Sequence, residues 1–203
     1  MKKILLPILI FISLQAYCQS YFEKKTHFID ASFGGGNYKS SINNTVNKTG
    51  NGGQTILGLD YEYGLSKRFG IGGVIELGGL ENKNLNTNFS SGVLGIKGYY
   101  HFYCAEKSTM FAALTIAGAS ASSLLASGET INGGGNNFQL ALGIRKQLFV
   151  KWLGFHANIS LTKYNLDKWK DSKEFILKND TGDDNLAIKL SGINFTTGVS
   201  FRF

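Results

Sequence analysis

The chain has 203 residues, enough for one domain, and it is rich in glycine (26) and phenylalanine (15) with a single proline. Its formal net charge is +7, and the basic residues are dispersed, so nucleic-acid binding is not indicated. After the first eighteen residues, no stretch approaches the ~18 consecutive apolar residues of a membrane-spanning helix. A membrane-spanning chain of this composition would therefore be a closed β-barrel, because only helices and closed barrels satisfy every backbone group in lipid.

The first eighteen residues have the pattern of a secretory signal peptide. A basic start and a short apolar run lead to the small residues Ala16 and Cys18, as before a cut preceding Gln19. We predict a signal peptide over 1–18 and one exported domain over 19–203. Acylation of Cys18 is a less favoured alternative, because a bulky tyrosine precedes it.

Eight later segments alternate apolar and polar residues with a period of two, which is typical of strands whose two faces meet different surroundings. The predicted strands are 27–36, 53–65, 69–79, 89–103, 109–120, 136–148, 154–164 and a closing strand from 187 to 203. Connections after strands 2, 4 and 6 are short, and the others are predicted to be long polar loops over 37–52, 79–88, 121–135 and 165–186. Short turns at one end and long loops at the other are typical of outer-membrane barrels.

The closing strand places one aromatic-rich row on a single face: Phe195, Val199, Phe201 and Phe203. It resembles the last strand of outer-membrane barrels, where the terminal aromatic is part of the signal read by the assembly machinery. The resemblance implies that this row is lipid-facing and serves as an assembly signal. It also implies the barrel assembly machinery and outer-membrane lipids as partners. To close the barrel, this strand should pair with strand 1 around residues 29–33.

Three further segments carry a wider resemblance: GLDYEYG at 58–64, FGIG at 69–72 and GIKGYYHF at 95–102. They resemble small outer-membrane β-barrel ("porin family") proteins of Bacteroidota-like, Gram-negative bacteria. The resemblance implies an all-β, eight-stranded antiparallel up-and-down transmembrane barrel, monomeric and located in the outer membrane. It does not imply a pore, because an eight-stranded barrel is only wide enough for its own side chains. A lipocalin-like soluble barrel is the alternative, but its apolar face would point inward.

Strand parity turns a set of charged side chains toward the lumen: Asp30, Asp60, Glu62, Glu76, Lys97, Arg145 and Arg202. Charges inside a narrow barrel must be paired or solvated, since an isolated buried charge is very costly. We predict a buried ion-pair network that plugs the lumen. The alternative is a gate or polar path through it.

The remaining chemistry-bearing residues are few. His27, His101 and His156 are scattered over strands 1, 4 and 7, so they are expected to be interior hydrogen-bonding groups, and no metal or cofactor is predicted. The spacing of His156, Asn158 and Ser160 superficially resembles lipid A-modifying barrel enzymes. Parity places this set in the lumen and the adjacent His/Ser signature is missing, so the chain is not expected to be an enzyme. Cleavage before Gln19 would leave Cys104 alone, and no disulfide is expected.

The last loop mixes lysines and acids around the aromatic residues Trp169 and Phe175, which makes them candidates for contact with a surface ligand. The expected role is structural or interactive, exercised through the extracellular loops above a filled lumen. The alternative is a narrow transport path for small or apolar solutes, for which the inward residues Ile56, Val74 and Val93 are a weak hint. An enzyme acting on lipid A is the less favoured third class.

Overall fold

The structure is a computed structural model that describes residues 21–43, 48–82, 87–124, 128–173, 175–178 and 185–203. Eight antiparallel strands follow one another around a closed barrel, which confirms the predicted eight-stranded up-and-down fold. Their bounds are β1 His27–Ile42, β2 Lys48–Gly64, β3 Phe69–Asn82, β4 Thr87–Ala105, β5 Ser108–Leu124, β6 Thr130–Gln147, β7 Leu153–Leu166 and β8 Ile188–Arg202. Among the described residues, no helix is long and apolar enough to cross a membrane.

Strand β8 closes the barrel against β1. The pairing runs from Phe28 with Arg202 to Ile42 with Ile188, and it includes Ile29 with Phe201. Both strands therefore satisfy their backbone groups, and the sheet has no free edge. The expected pairing of the closing strand with residues 29–33 is confirmed.

The predicted loops at one end are mostly strand. Strand β1 ends at residue 42 and β2 begins at residue 48, so the connection predicted over 37–52 is only 43–47. The connections predicted over 79–88 and 121–135 are likewise only 83–86 and 125–129. Only the last connection, 167–187, remains long. The prediction failed because these strand ends are polar on the outward face and carry few large apolar residues between glycines and serines on the inward face, so regular alternation is missing. A 16-residue strand such as β1 spans about 50 Å, more than the roughly 25 Å apolar band of a tilted barrel strand requires.

The outer surface carries a continuous belt of exposed apolar side chains. Phe33, Leu57, Leu94 and Ile96 are each at least 60% exposed. Such a surface is stable in lipid and costly in water, because it would leave large apolar area in contact with solvent. The inward-facing side chains are instead buried and divide the lumen into a polar half, near the chain termini and short turns, and an apolar half at the opposite end.

Candidate functional site

The polar half of the lumen is centred on Arg145 of β6, whose side chain is fully buried. Its Nε and Nη2 donate to Asp30 Oδ2 of β1 at 2.9 and 2.7 Å, and its Nη1 donates to Glu62 Oε2 of β2 at 2.6 Å. One guanidinium thus bridges two carboxylates from the opposite side of the barrel. Charge-assisted bonds of this kind are about twice as strong as neutral ones.

Aromatic rings enclose the same guanidinium. Its central carbon lies 4.5 Å from the ring centroid of Phe28, 4.6 Å from that of Phe111 and 5.3 Å from that of Tyr99. Arginine stacks well on aromatic faces because its planar charge is weakly hydrated. These contacts keep water away from the ion pairs and fix Arg145 in one position across the lumen.

His101 of β4 extends the network toward β5. Its Nε2 lies 2.8 Å from Glu62 Oε1, and its Nδ1 lies 2.8 Å from Thr109 Oγ1. The pairing of β4 with β5 shifts register between His101 and Tyr103. This β-bulge changes the parity of the strand, so that His101 and Cys104 both face inward while Tyr103 is 43% exposed.

Two further pairs lie in the lumen beside the Arg145 group. Lys97 Nζ donates to both carboxylate oxygens of Asp60 at 3.2 Å. Gln139 Nε2 donates to Glu76 Oε2 at 2.8 Å. The Asp60 carboxylate is therefore matched by an opposite charge, whereas Glu76 receives a neutral amide donor.

The N-terminal segment fills the end of the polar half of the lumen that lies near the short turns. Tyr21 and Phe22 are completely buried, and the Phe22 ring stacks on His101 with centroids 3.6 Å apart. Cys104 packs in the same apolar cluster and is disulfide-bonded, its partner lying outside the described residues. The expectation that Cys104 stays alone concerns a chain cut before Gln19, so it stays a prediction. In the uncut chain the bulge turns the Cys104 side chain inward and the thiol is paired.

The other half of the lumen is apolar and is capped by Trp169, which is completely buried. Its indole Nε1 donates to the Leu166 carbonyl at 3.1 Å, and its ring lies so close to Gly133 that an added Cβ would come within 2.6 Å of it. The expected exposure of Trp169 is wrong, because the chain after β7 folds back over the barrel mouth. Phe175, in the same connection, is 68% exposed.

The lumen charges predicted from parity do not all meet. Asp30, Glu62 and Arg145 form one group, whereas Asp60 with Lys97 and Glu76 with Gln139 form separate pairs. The Arg202 guanidinium lies 5.3 Å from the Tyr21 ring centroid, at the end of the lumen near the chain termini.

Parity alone missed three partners of these charges. His101 and Gln139 were not predicted as partners because only charged side chains were considered. The rings of Phe28, Tyr99 and Phe111 around Arg145 could not be predicted, because they come together only when the barrel closes. His27 was expected in the interior, but its Nδ1 lies 2.8 Å from the Tyr61 hydroxyl in an exposed position. It therefore belongs to the outer aromatic rim, together with Tyr63, whose ring centroid is 5.1 Å from that of His27.

His156 of β7 lies in the lumen without the hydrogen-bond partner that was expected for an interior histidine, among the residues that the structure describes. His156 is completely buried, its Nδ1 is 3.9 Å from Asp30 Oδ1, and its ring nitrogens make no hydrogen bond to any described residue. A general base needs hydrogen-bond contact with the group it activates, about 2.6–3.2 Å. Within the described ranges, no group of three or more His, Cys, Asp or Glu side chains could hold a metal ion.

Comparison with solved structures identifies the type of barrel. The outer-membrane protein OprG of Pseudomonas aeruginosa superimposes with a TM-score of 0.60 at 12% identity, covering 90% of this chain and 97% of that one. This chain has the fold of an outer-membrane barrel. The outer-membrane protein AlkL, in lipid bilayers, aligns with a TM-score of 0.54 at 13% identity over 91% of this chain and 93% of that chain. No family model and no curated protein matches the chain.

For this outer-membrane barrel, the fold fixes what each surface contacts. The apolar belt faces lipid, and the row of Phe195, Val199 and Phe203 lies within it at 40% to 68% exposure. Phe201 joins the row and stacks on Trp152, with centroids 6.2 Å apart. The role of this row as an assembly signal stays a prediction.

Proposed function

We propose that this protein is a non-conducting, non-catalytic outer-membrane barrel with a structural or surface-interaction role at its extracellular end. The observation that carries the proposal is the buried Arg145 group, which ties β6 to β1 and β2 across the lumen. The end that bears the long connection 167–187 is taken as extracellular, because periplasmic turns are the short ones in such barrels.

Three successive layers oppose passage through the lumen. Tyr21 and Phe22 fill the periplasmic end, the Arg145 group crosses the middle, and Trp169 with its apolar neighbours fills the extracellular half. An ion would have to displace the buried ion pairs of Arg145 with Asp30 and Glu62, which costs several kcal/mol for each carboxylate left behind. The contacts available to a partner are therefore on the outside, including the exposed ring of Phe175.

Planar bilayer recording tests this proposal. We expect the folded parent protein to give no discrete conductance steps, while a sixteen-stranded porin measured in parallel gives them. The variants Lys97→Ala and Arg145→Ala should melt earlier and remain non-conducting, because the other layers still close the lumen. Discrete steps from the parent, lost after boiling, would overturn the proposal.

We propose further that the chain reaches the outer membrane with a signal peptide over 1–18 and is inserted there as a monomer by the barrel assembly machinery, which reads Phe203. The belt of exposed apolar side chains supports a lipid environment. The test is fractionation of cells that express the full chain. A heat-modifiable band in the outer-membrane fraction is expected, and recovery only in the periplasm would contradict the proposal.

A second candidate function is the binding of a small apolar solute in the extracellular half of the lumen. A small cavity of about 10 Å³ is lined almost entirely by apolar side chains: Tyr38, Leu80, Phe89, Leu166, Trp169, Ile188 and Leu190. A cavity of this size holds at most one water, so an apolar solute would have to displace part of this lining in order to bind. Titration of a Trp152→Phe variant with a brominated alkane tests it, since Trp169 is then the only tryptophan. Saturable quenching supports the function, and quenching that rises linearly excludes it.

A further inference from the structure

Three lysines converge on the outer face of the barrel where β7, β8 and β1 meet. Lys163 of β7 and Lys39 of β1 are both directly paired with Ser191 of β8, one on each side. Paired residues on neighbouring strands lie about 4.5–5.5 Å apart. Lys189 precedes Ser191 by two residues on the same face, about 7 Å along the strand. All three side chains are exposed, so three lysines flank one serine on the outer face.

This lysine patch lies in a shallow depression of about 1240 Å³ that crosses the outer wall. Its polar lining is neutral apart from the lysines and includes Asn51 and Asn165. No described residue forms a salt bridge with any of the three lysines. Three like charges held this close repel one another unless an anion lies between them.

The patch lies directly above the apolar belt. Two residues after Ser191 on the same face, Ile193 pairs with Leu161. These two side chains are 54% and 57% exposed. The ammonium groups therefore lie at the level of lipid headgroups. They are also at the end that carries the 167–187 connection, far from Phe203. This is the outer leaflet of a Gram-negative outer membrane, where the lipid is a phosphorylated glycolipid.

We propose that the lysine patch binds a phosphate group of lipid A. Lys39, Lys163 and Lys189 would donate to the phosphate oxygens, the neutral amides and hydroxyls of the depression would contact the sugar, and acyl chains would lie along Leu161 and Ile193. The phosphate of the lipid thus contacts the lysines, and its acyl chains contact the apolar side chains next to them, so both parts of the lipid meet a complementary surface.

Native mass spectrometry of the folded protein in detergent, titrated with bisphosphorylated lipid A, tests the proposal. The variant K39Q/K163Q/K189Q removes the patch. The matched control, K107Q/K146Q/K151Q, removes three exposed lysines from the periplasmic end with the same loss of charge. We expect the patch variant to bind lipid A at least about tenfold more weakly than the parent, and the control to stay within about twofold. A heat-modifiability gel verifies that both variants are folded.

Three further ligands distinguish the source of the phosphate. Lipid A with its phosphates removed should bind the parent as weakly as lipid A binds the patch variant. Millimolar inorganic phosphate should not displace lipid A; displacement would show that the site takes a free anion and would overturn the proposal. Equal, patch-dependent binding of phosphatidylglycerol would also overturn it, because the patch would then be a general anionic-lipid contact. Equal loss in both lysine variants would refute the assignment to this face.

Discussion

Removal of the Arg145 charge is the perturbation most directly tied to the lumen geometry. In Arg145→Met, the Asp30 and Glu62 carboxylates lose their shared partner while they remain 2% and 0% exposed. Breaking a buried ion pair in this way typically costs about 3–5 kcal/mol, because an uncompensated charge is left behind. The methionine retains much of the packing against Phe28 and Phe111, so most of the loss should come from the charge. We expect the free energy of unfolding to fall by this amount.

Urea titration of the protein folded in lipid vesicles, followed by the heat-modifiable gel band, measures the effect. The matched control is Lys146→Met, the next residue on β6, whose side chain points outward; it should change the unfolding free energy by less than about 0.5 kcal/mol. The variant D30N/E62Q/R145M should recover part of the loss, because its amides leave no unpaired charge in the lumen. A loss below about 1 kcal/mol in Arg145→Met, or a triple variant weaker than the single one, would refute the reasoning.

Three shorter predictions concern the two ends of the barrel. Gly133→Val should displace the Trp169 ring, because a Cβ added at Gly133 would lie 2.6 Å from ring atoms. The displacement should shift the tryptophan emission to longer wavelength, and unchanged emission would contradict the buried position of Trp169 over the lumen. Deletion of Phe203 should lower the yield of membrane-inserted protein more than the melting temperature of the inserted fraction, and equal losses would argue against a role in assembly. In the uncut full chain, intact-mass analysis should show Cys104 protected from alkylation until reduction. In a chain cut before Gln19 its thiol should react at once, because the cut removes Cys18, the only other cysteine; a protected Cys104 in the cut chain would contradict a signal peptide over 1–18.

The sequence predicted the wall of the barrel well because the wall repeats one simple rule. Where a strand crosses lipid, every second residue must be apolar, and the last strand must pair with the first because a closed barrel leaves no free edge. Above the lipid that rule no longer applies. The glycine-rich and polar ends of β1 and β6 alternate only weakly, so they read as loops although they are hydrogen-bonded strand.

The interior was harder to predict, because its contacts depend on which strands face each other across the lumen. Parity showed that Asp30, Glu62 and Arg145 point inward, but β6 and β1 are not neighbours in the sheet. Their meeting depends on barrel diameter and strand stagger, which no single strand encodes. The bulge between His101 and Tyr103 reverses which residues of β4 face inward, and the pattern of apolar residues does not predict it. Trp169 was misplaced for the same reason: its burial requires the closed mouth of the barrel to exist first.

These observations locate where the protein can act. A lumen crossed by a dry, paired charge group is a rigid connection between distant strands, and rigidity there holds the outer face in a fixed shape. The lysine patch depends on that shape, because Lys39 and Lys163 are brought together only by the β1–β8 closure. Thus the interior supplies stability, and recognition is left to the rim and the outer wall. Loosening the Arg145 group should therefore weaken lipid A binding as well, although Arg145 itself does not line the depression.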